Sequence, residues 1–217
     1  IGESTMSKHF GNVIYEEYFV DLFGGDAVRY YLLHEIPYDN DGSITWDLLV
    51  ERINSDLANI LGNLVNRTIA MCNKYFDGVV TNTNVCEPVD DELKSIALAM
   101  PGKTIKLENE FKLAKALDEI YVLLRRTNKY IDDTMPWALA KDETKKDRLA
   151  TVLYNLVEAI RFSAIALEPF IPGTSKKILD MINTDERDRM KLDSCGAYKS
   201  GSKGTDPPEV LLARLET

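Results

Sequence analysis

The chain is poor in the residues that build metal sites and covalent frameworks. Among 217 residues there are two histidines and three cysteines. Cys72, Cys86 and Cys195 stand far apart with no C-x-x-C pairing, and only His9 and His34 are there to join them, which argues against a zinc site and for free thiols. No apolar signal stretch opens the sequence, and no run approaches the roughly 18 apolar residues a membrane span needs, so a cytosolic, membrane-free protein is expected. An excess of positive charge is lacking as well: 26 Lys and Arg against 35 Asp and Glu leave a net charge of −9. Gripping nucleic acid by bulk potential takes clustered cations, so any nucleic-acid contact here must be local.

What is present is apolar mass with a helical period. A 45% hydrophobic content supports a sizeable core, and because alternating β-branched runs are scarce, an all-α body is expected. Tyr15 to Phe23 predicts a short helix stopped at Gly24-Gly25, and Asp26 is expected to cap a second run through Leu33. Thr45 is expected to cap one long helix from Trp46 to about Phe76, ended by Asp77-Gly78, with Gly62 its weak point. Further helices are predicted over about Asp90–Met100 and Ile105–Ile131, separated by Pro101-Gly102. A short one starts at Pro136, and the last two cover Lys145–Leu167 and Gly173–Ile182. After Asn183 a tail rich in Gly, Ser, Lys and Pro is expected to run extended over the surface.

Three places carry chemical information. Projected at 100° per residue, Ile53, Leu57, Ile60, Leu61, Leu64, Thr68 and Met71 share the core face of the long helix, with Arg67 at its margin. Asn63 lies one turn before Arg67 and Asn59 a turn earlier, forming a polar ridge. Such a ridge fits a solvated helix face, and it equally fits a recognition edge, since amide and guanidinium groups hydrogen-bond the edges of splayed bases. Trp137, beside Pro136 at a helix start, fits either a core tryptophan or a platform on which a base stacks. Arg125, Arg126 and Lys129 precede it and fit surface charges equally well. Finally, the opening loop Gly2 to Asn12 sets Lys8 among small hydroxyl and glycine residues, a composition suited to a phosphate ligand.

The order Met6-Ser7-Lys8, Gly11-Asn12-Val13, then Gly25-Asp26-Ala27-Val28-Arg29-Tyr30-Tyr31-Leu32-Leu33 resembles the end of a class I aminoacyl-tRNA synthetase core. The segments Ile36 to Gly42, Asn54 to Arg67 and Pro136 to Lys141 narrow the resemblance to the bacterial-type methionyl-tRNA synthetase family, over essentially the whole chain. The likeness implies that Met6, Ser7 and Lys8 belong to a mobile signature loop whose lysine contacts ATP phosphates. Thr5 and His9 stand where that motif has lysine and serine. It implies further that Asn63, Arg67, Pro136 and Trp137 recognise the CAU anticodon of tRNA-Met.

On this resemblance residues 1–43 are a signature loop with a stem-contact connection, 44–182 a helical anticodon-binding domain and 183–217 a tail. The His-Ile-Gly-His adenylate motif cannot be formed with His9 and His34 alone, so the catalytic domain, ATP chemistry and any zinc are expected upstream. The chain by itself is expected to be inactive in aminoacylation. Other readings are the corresponding part of a valine, isoleucine, leucine or cysteine enzyme, or a helical protein-interaction module with no RNA role.

Overall fold

In a computed structural model of the chain, residue 9 and residues 15–36, 42, 44–205, 208–212 and 214–215 are described. The helical periods form an all-α body: α1 (Glu16–Phe23), α2 (Gly25–Glu35), α3 (Trp46–Arg52), a π-helical stretch (Ile53–Gly62), α4 (Asn63–Phe76), α5 (Pro88–Asn109), α6 (Leu113–Thr134), α7 (Pro136–Leu139), α8 (Lys146–Leu167) and α9 (Pro172–Met181). The axis is α8, in which every residue from Arg148 to Leu167 is buried; α4, α5, α6 and α9 pack around it.

With the turn before it, α8 makes a 25-residue stretch, Glu143–Leu167, that is long and apolar enough to cross a membrane, with a mean hydropathy of 1.4 over an 18-residue window within it. The sequence expectation of no such run is thereby corrected. Its apolar window lies wholly inside the protein, as a core helix does. The buried charges along α8, Arg148, Glu158 and Arg161, are paired rather than solvated. Arg161, 2% exposed, grips Glu158 through two 2.8 Å hydrogen bonds. Arg148 holds Asp90 of α5 at 2.6 and 2.9 Å, and Asp90 also accepts from the Tyr130 hydroxyl of α6 at 2.6 Å and from the Glu87 backbone N–H at 2.9 Å. Asn155 of α8 donates to the same Tyr130 oxygen at 3.1 Å. One buried carboxylate therefore ties three helices together, with its acceptor sites satisfied.

Thr45 caps α3 as expected, accepting the Leu48 N–H at 3.2 Å. Asp77 and Gly78 end α4 with φ of 53° and 80°. Asp26 does not cap its own helix. It leaves the start of α2 to Gly24 and accepts the N–H groups of Gly173 and Thr174 at the start of α9 instead. One turn on, Arg29 donates to the carbonyls of Phe170 and Pro169 at 3.0 and 2.8 Å. The i, i+3 pair thus clamps the α8–α9 corner, because Asp26 meets orphan donors and Arg29 orphan acceptors there.

Pro101 and Gly102 do not separate two helices. Both lie inside α5, where Leu93, Ala97, Met100, Pro101 and Thr104 form a buried face, and the Thr104 hydroxyl donates to the carbonyls of Met100 and Pro101. Burial outweighs the local cost of a helical proline, about 3 kcal/mol. The break falls at Phe111 (φ 57°), where the Lys112 N–H returns to the Leu107 carbonyl at 2.9 Å.

The tail does not simply run extended over the surface; it is pinned to the body. β2 (Ser202–Lys203) pairs antiparallel with β1 (Val79–Val80), and Leu192 and Tyr198 are buried. Glu158 also accepts the Gly196 N–H at 2.8 Å, and the Leu215 backbone both donates to and accepts from the Asn54 side chain, at 2.7 and 3.0 Å.

Burial alone would raise the Asp90 carboxyl, but hydrogen bonds from Arg148, Tyr130 and Glu87 outweigh it and hold the group below the ordinary carboxylate range. A carboxyl depressed by folding contributes stability above its unfolded value, about 3.9, and that contribution is lost as pH falls toward the folded value. Urea unfolding should therefore show stability falling below about pH 4, less steeply in Asp90→Asn. At neutral pH Arg148→Met should cost about 3–5 kcal/mol, since it leaves a buried charge unpaired. Burial also pushes the Cys72 thiol up to about 12 and Cys195 to about 11, while Cys86 is exposed. Thiol titration of the folded protein at pH 8 should accordingly label Cys86 first, and Cys72 only on unfolding.

Candidate nucleic-acid interface

The long helix expected from Trp46 to Phe76 follows one continuous path, with Arg52, Ile53, Gly62 and Asn63 all in right-handed helical geometry. Its middle is not α, however. From Ile53 to Gly62 the pairing widens to i→i+5, so that the Asn63 N–H donates to the Ala58 carbonyl. A 100° projection cannot anticipate this, because it assumes one pitch throughout.

Side chains from neighbouring elements hold the wide turns. Asp56, 5% exposed, accepts the Tyr30 hydroxyl at 2.8 Å and the Ser55 hydroxyl at 3.1 Å, with the Arg52 guanidinium 3.6 Å away. Burial, with Tyr121 and Asp56 alongside, pushes the Tyr30 hydroxyl far above its ordinary value, so it remains a donor. At the other end, Asn128 of α6 donates to the Ile60 carbonyl at 3.2 Å and to the Leu124 carbonyl of its own helix at 3.1 Å.

Of the expected core face, Ile53, Leu57, Leu61, Leu64 and Thr68 are buried, while Ile60 and Met71 are half-buried. Asn59, Asn63 and Arg67 are exposed, so the polar ridge lies on the outer surface of the helix. Pro136 and Trp137 reach the surface by a different route. Met135 adopts a left-handed conformation (φ 45°); its N–H closes α6 on the Ile131 carbonyl at 2.9 Å, and its carbonyl accepts the Ala138 N–H of α7 at 2.8 Å. Pro136, the first residue of α7, is buried. Trp137 follows it and is 42% exposed, which removes the reading of a tryptophan folded into the core.

The two groups belong to neighbouring elements. Leu139 and Ala140, at the end of α7, share a small cavity with Tyr75 and Phe76 at the end of α4. Tyr75 is eight residues beyond Arg67, about 12 Å along the helix. The cations before Trp137 separate by role: Arg126 is 8% exposed and paired with Asp133 and Glu92, both at 3.0 Å, whereas Lys129 and Arg125 are exposed, the latter 5.7 Å over the Tyr121 ring. Arg126 is thus engaged in ion pairs within the body.

Met6, Ser7 and Lys8, with Gly11 to Val13, lie outside the described residues. Among the described residues no group of three His, Cys, Asp or Glu side chains could hold a metal ion. Pattern reasoning missed Asn128, which stands in a run of polar residues with nothing to single it out. Asp26 was read only as the cap of its own helix, and neither it nor Arg29 carried a sequence signal pointing to the α8–α9 corner.

Residues 1–69 match the family described as tRNA synthetases class I (M), which defines the class. Residues 89–217, more than half the chain, match the anticodon binding domain of methionyl tRNA ligase. The chain belongs to the methionyl-tRNA ligase family. It is 51% identical to the methionine–tRNA ligase of Clostridium perfringens and 46% to that of Clostridium acetobutylicum, in each case over 97% of this chain and 33% of the relative. It superposes on Mycobacterium tuberculosis methionyl-tRNA synthetase bound by methionyl-adenylate with a TM-score of 0.88 and 32% identity, over 96% of this chain and 41% of that one. The apo form of that enzyme gives 0.86 and 31%, over 94% and 41%. The chain thus spans about a third of the length of its curated relatives.

The two tryptophans should report these environments separately. Trp46 is half-buried among Tyr18, Phe19 and Phe23. Acrylamide should quench Trp137, isolated in Trp46→Phe, several-fold more readily than Trp46 isolated in Trp137→Phe.

Proposed function

We propose that this chain is the anticodon-recognising part of a methionine–tRNA ligase, acting in the cytoplasm, and that it binds the CAU anticodon loop of tRNA-Met. The observation that carries the reading is the pairing of an exposed Asn63–Arg67 edge with an exposed indole, Trp137, held by a buried proline. An unstacked base would lie on the Trp137 ring while Asn63 and Arg67 hydrogen-bond base edges, with Pro136 fixing the start of α7 rather than touching RNA. Recognition of this kind needs few cations, which suits a chain of net charge −9.

In the whole enzyme this binding would select the tRNA that receives methionine at the expense of ATP. Lys8, with Met6 and Ser7, would contact ATP phosphates, and any zinc would be held by residues upstream. We propose the same division as the sequence suggests: connection over 1–43, recognition body over 44–182, tail over 183–217. The tail would brace the body through Leu192, Tyr198 and Leu215.

Base stacking contributes about 1–3 kcal/mol per base, roughly 5- to 150-fold in affinity. Trp137→Ala should weaken a CAU anticodon stem-loop by that order in fluorescence anisotropy titrations, and an unchanged affinity would sink the assignment. A panel in which CAU is not preferred would point to another class I enzyme. Failure to bind any tRNA at low salt would favour a protein-interaction role.

A further inference from the structure

We infer that Asn128 is a positioning residue for anticodon recognition, setting the direction in which Asn63 and Arg67 face by fixing the helix at Ile60. This inference rests on the anticodon reading proposed above. A helix that returns from i→i+5 to i→i+4 pairing passes over one carbonyl, which then needs a donor from elsewhere. With the Asn63 N–H on the Ala58 carbonyl, the one passed over is that of exposed Asn59; the Asn128 amide donates to the very next carbonyl, Ile60, at 3.2 Å, and its second contact, 3.1 Å to the Leu124 carbonyl, anchors it to α6. Ile60 lies between Asn59 and Asn63, so the step falls within the polar ridge itself. In an α-helix each residue turns the next by about 100°, and a change in pairing at Ile60 would swing every side chain beyond it.

Among the described residues, no other side-chain hydrogen bond from another element reaches residues 59–67. The Tyr30, Ser55 and Arg52 contacts converge on Asp56, and Leu215 meets Asn54, both before the ridge begins. Asn128 itself is half-buried, eight residues before Pro136 on the helix that delivers Trp137. Its amide therefore couples the helix carrying the hydrogen-bonding edge to the helix leading to the stacking platform.

The test is a double-mutant cycle on CAU stem-loop binding. Asn128→Asp keeps the shape but offers an acceptor where a donor is needed; Asn128→Ser keeps a shorter donor and guards against loss of folding, with circular dichroism as the check. If Asn128 acts through the ridge, Arg67→Ala should weaken binding less in the Asn128→Asp background than in the parent, by about threefold or more. The discrimination between CAU and single-base variants should fall alongside, and Asn128→Ser should retain part of both. Additive effects of the two substitutions, with discrimination intact, would overturn the inference. Because Trp137→Ala tests the anticodon reading separately, loss of that effect would indict the reading, whereas its persistence beside an additive cycle would remove only the role of Asn128.

Discussion

The buried Asp90 carboxylate is the contact on which the arrangement depends. It lies fully inside the body, and its partners come from three directions: the Glu87 N–H at the head of α5, Tyr130 on α6 and Arg148 on α8. Removing an ion pair of this kind from water is costly, and it persists where all its hydrogen bonds are made. Here they are, and the contact fixes the register of the helices that share it. The register it fixes is that of the last turns of α6, which carry Asn128 two residues before Tyr130 and hand the chain to Met135, Pro136 and Trp137 after it.

Both halves of the proposed interface therefore hang on one helix end. Asn128 reaches across to the wide-turn helix at Ile60, and Met135 turns the chain so that Trp137 emerges half-exposed from a buried proline. Neither Asn63 nor Trp137 sits on a free loop, and sites on packed helices keep their geometry better than sites on loops. A π-helical stretch is expensive in hydrogen-bond geometry and recurs at functional sites. Its place directly before Asn63 accords with that pattern.

Much of this was legible in the residues. Helical periodicity predicted the all-α body, Thr45 the start of α3, and Asp77-Gly78 the end of α4, because caps and left-handed stops are local chemistry. What escaped is tertiary. Pro101 continues a helix since its face is buried, and Asp26 caps α9, 147 residues away along the chain, since orphan N–H groups happen to face it there. The π stretch Ile53–Gly62 has an unremarkable composition, and the partners that hold it, Tyr30 and Asn128, come from other helices. The ridge and the indole were visible as alternatives, and exposure removed one of them, the core reading, only for Trp137. Their assignment to anticodon bases came from family resemblance.

The most direct test is an NMR titration of this chain with a CAU anticodon stem-loop, followed at the Trp137 indole, the Asn59 and Asn63 amides and the Arg67 guanidinium. These side-chain signals should shift together and saturate together, and far less with a loop carrying one changed anticodon base. Shifts confined to α1, the tail or the α5–α6 corner, with Trp137 and Asn63 unmoved, would contradict the account.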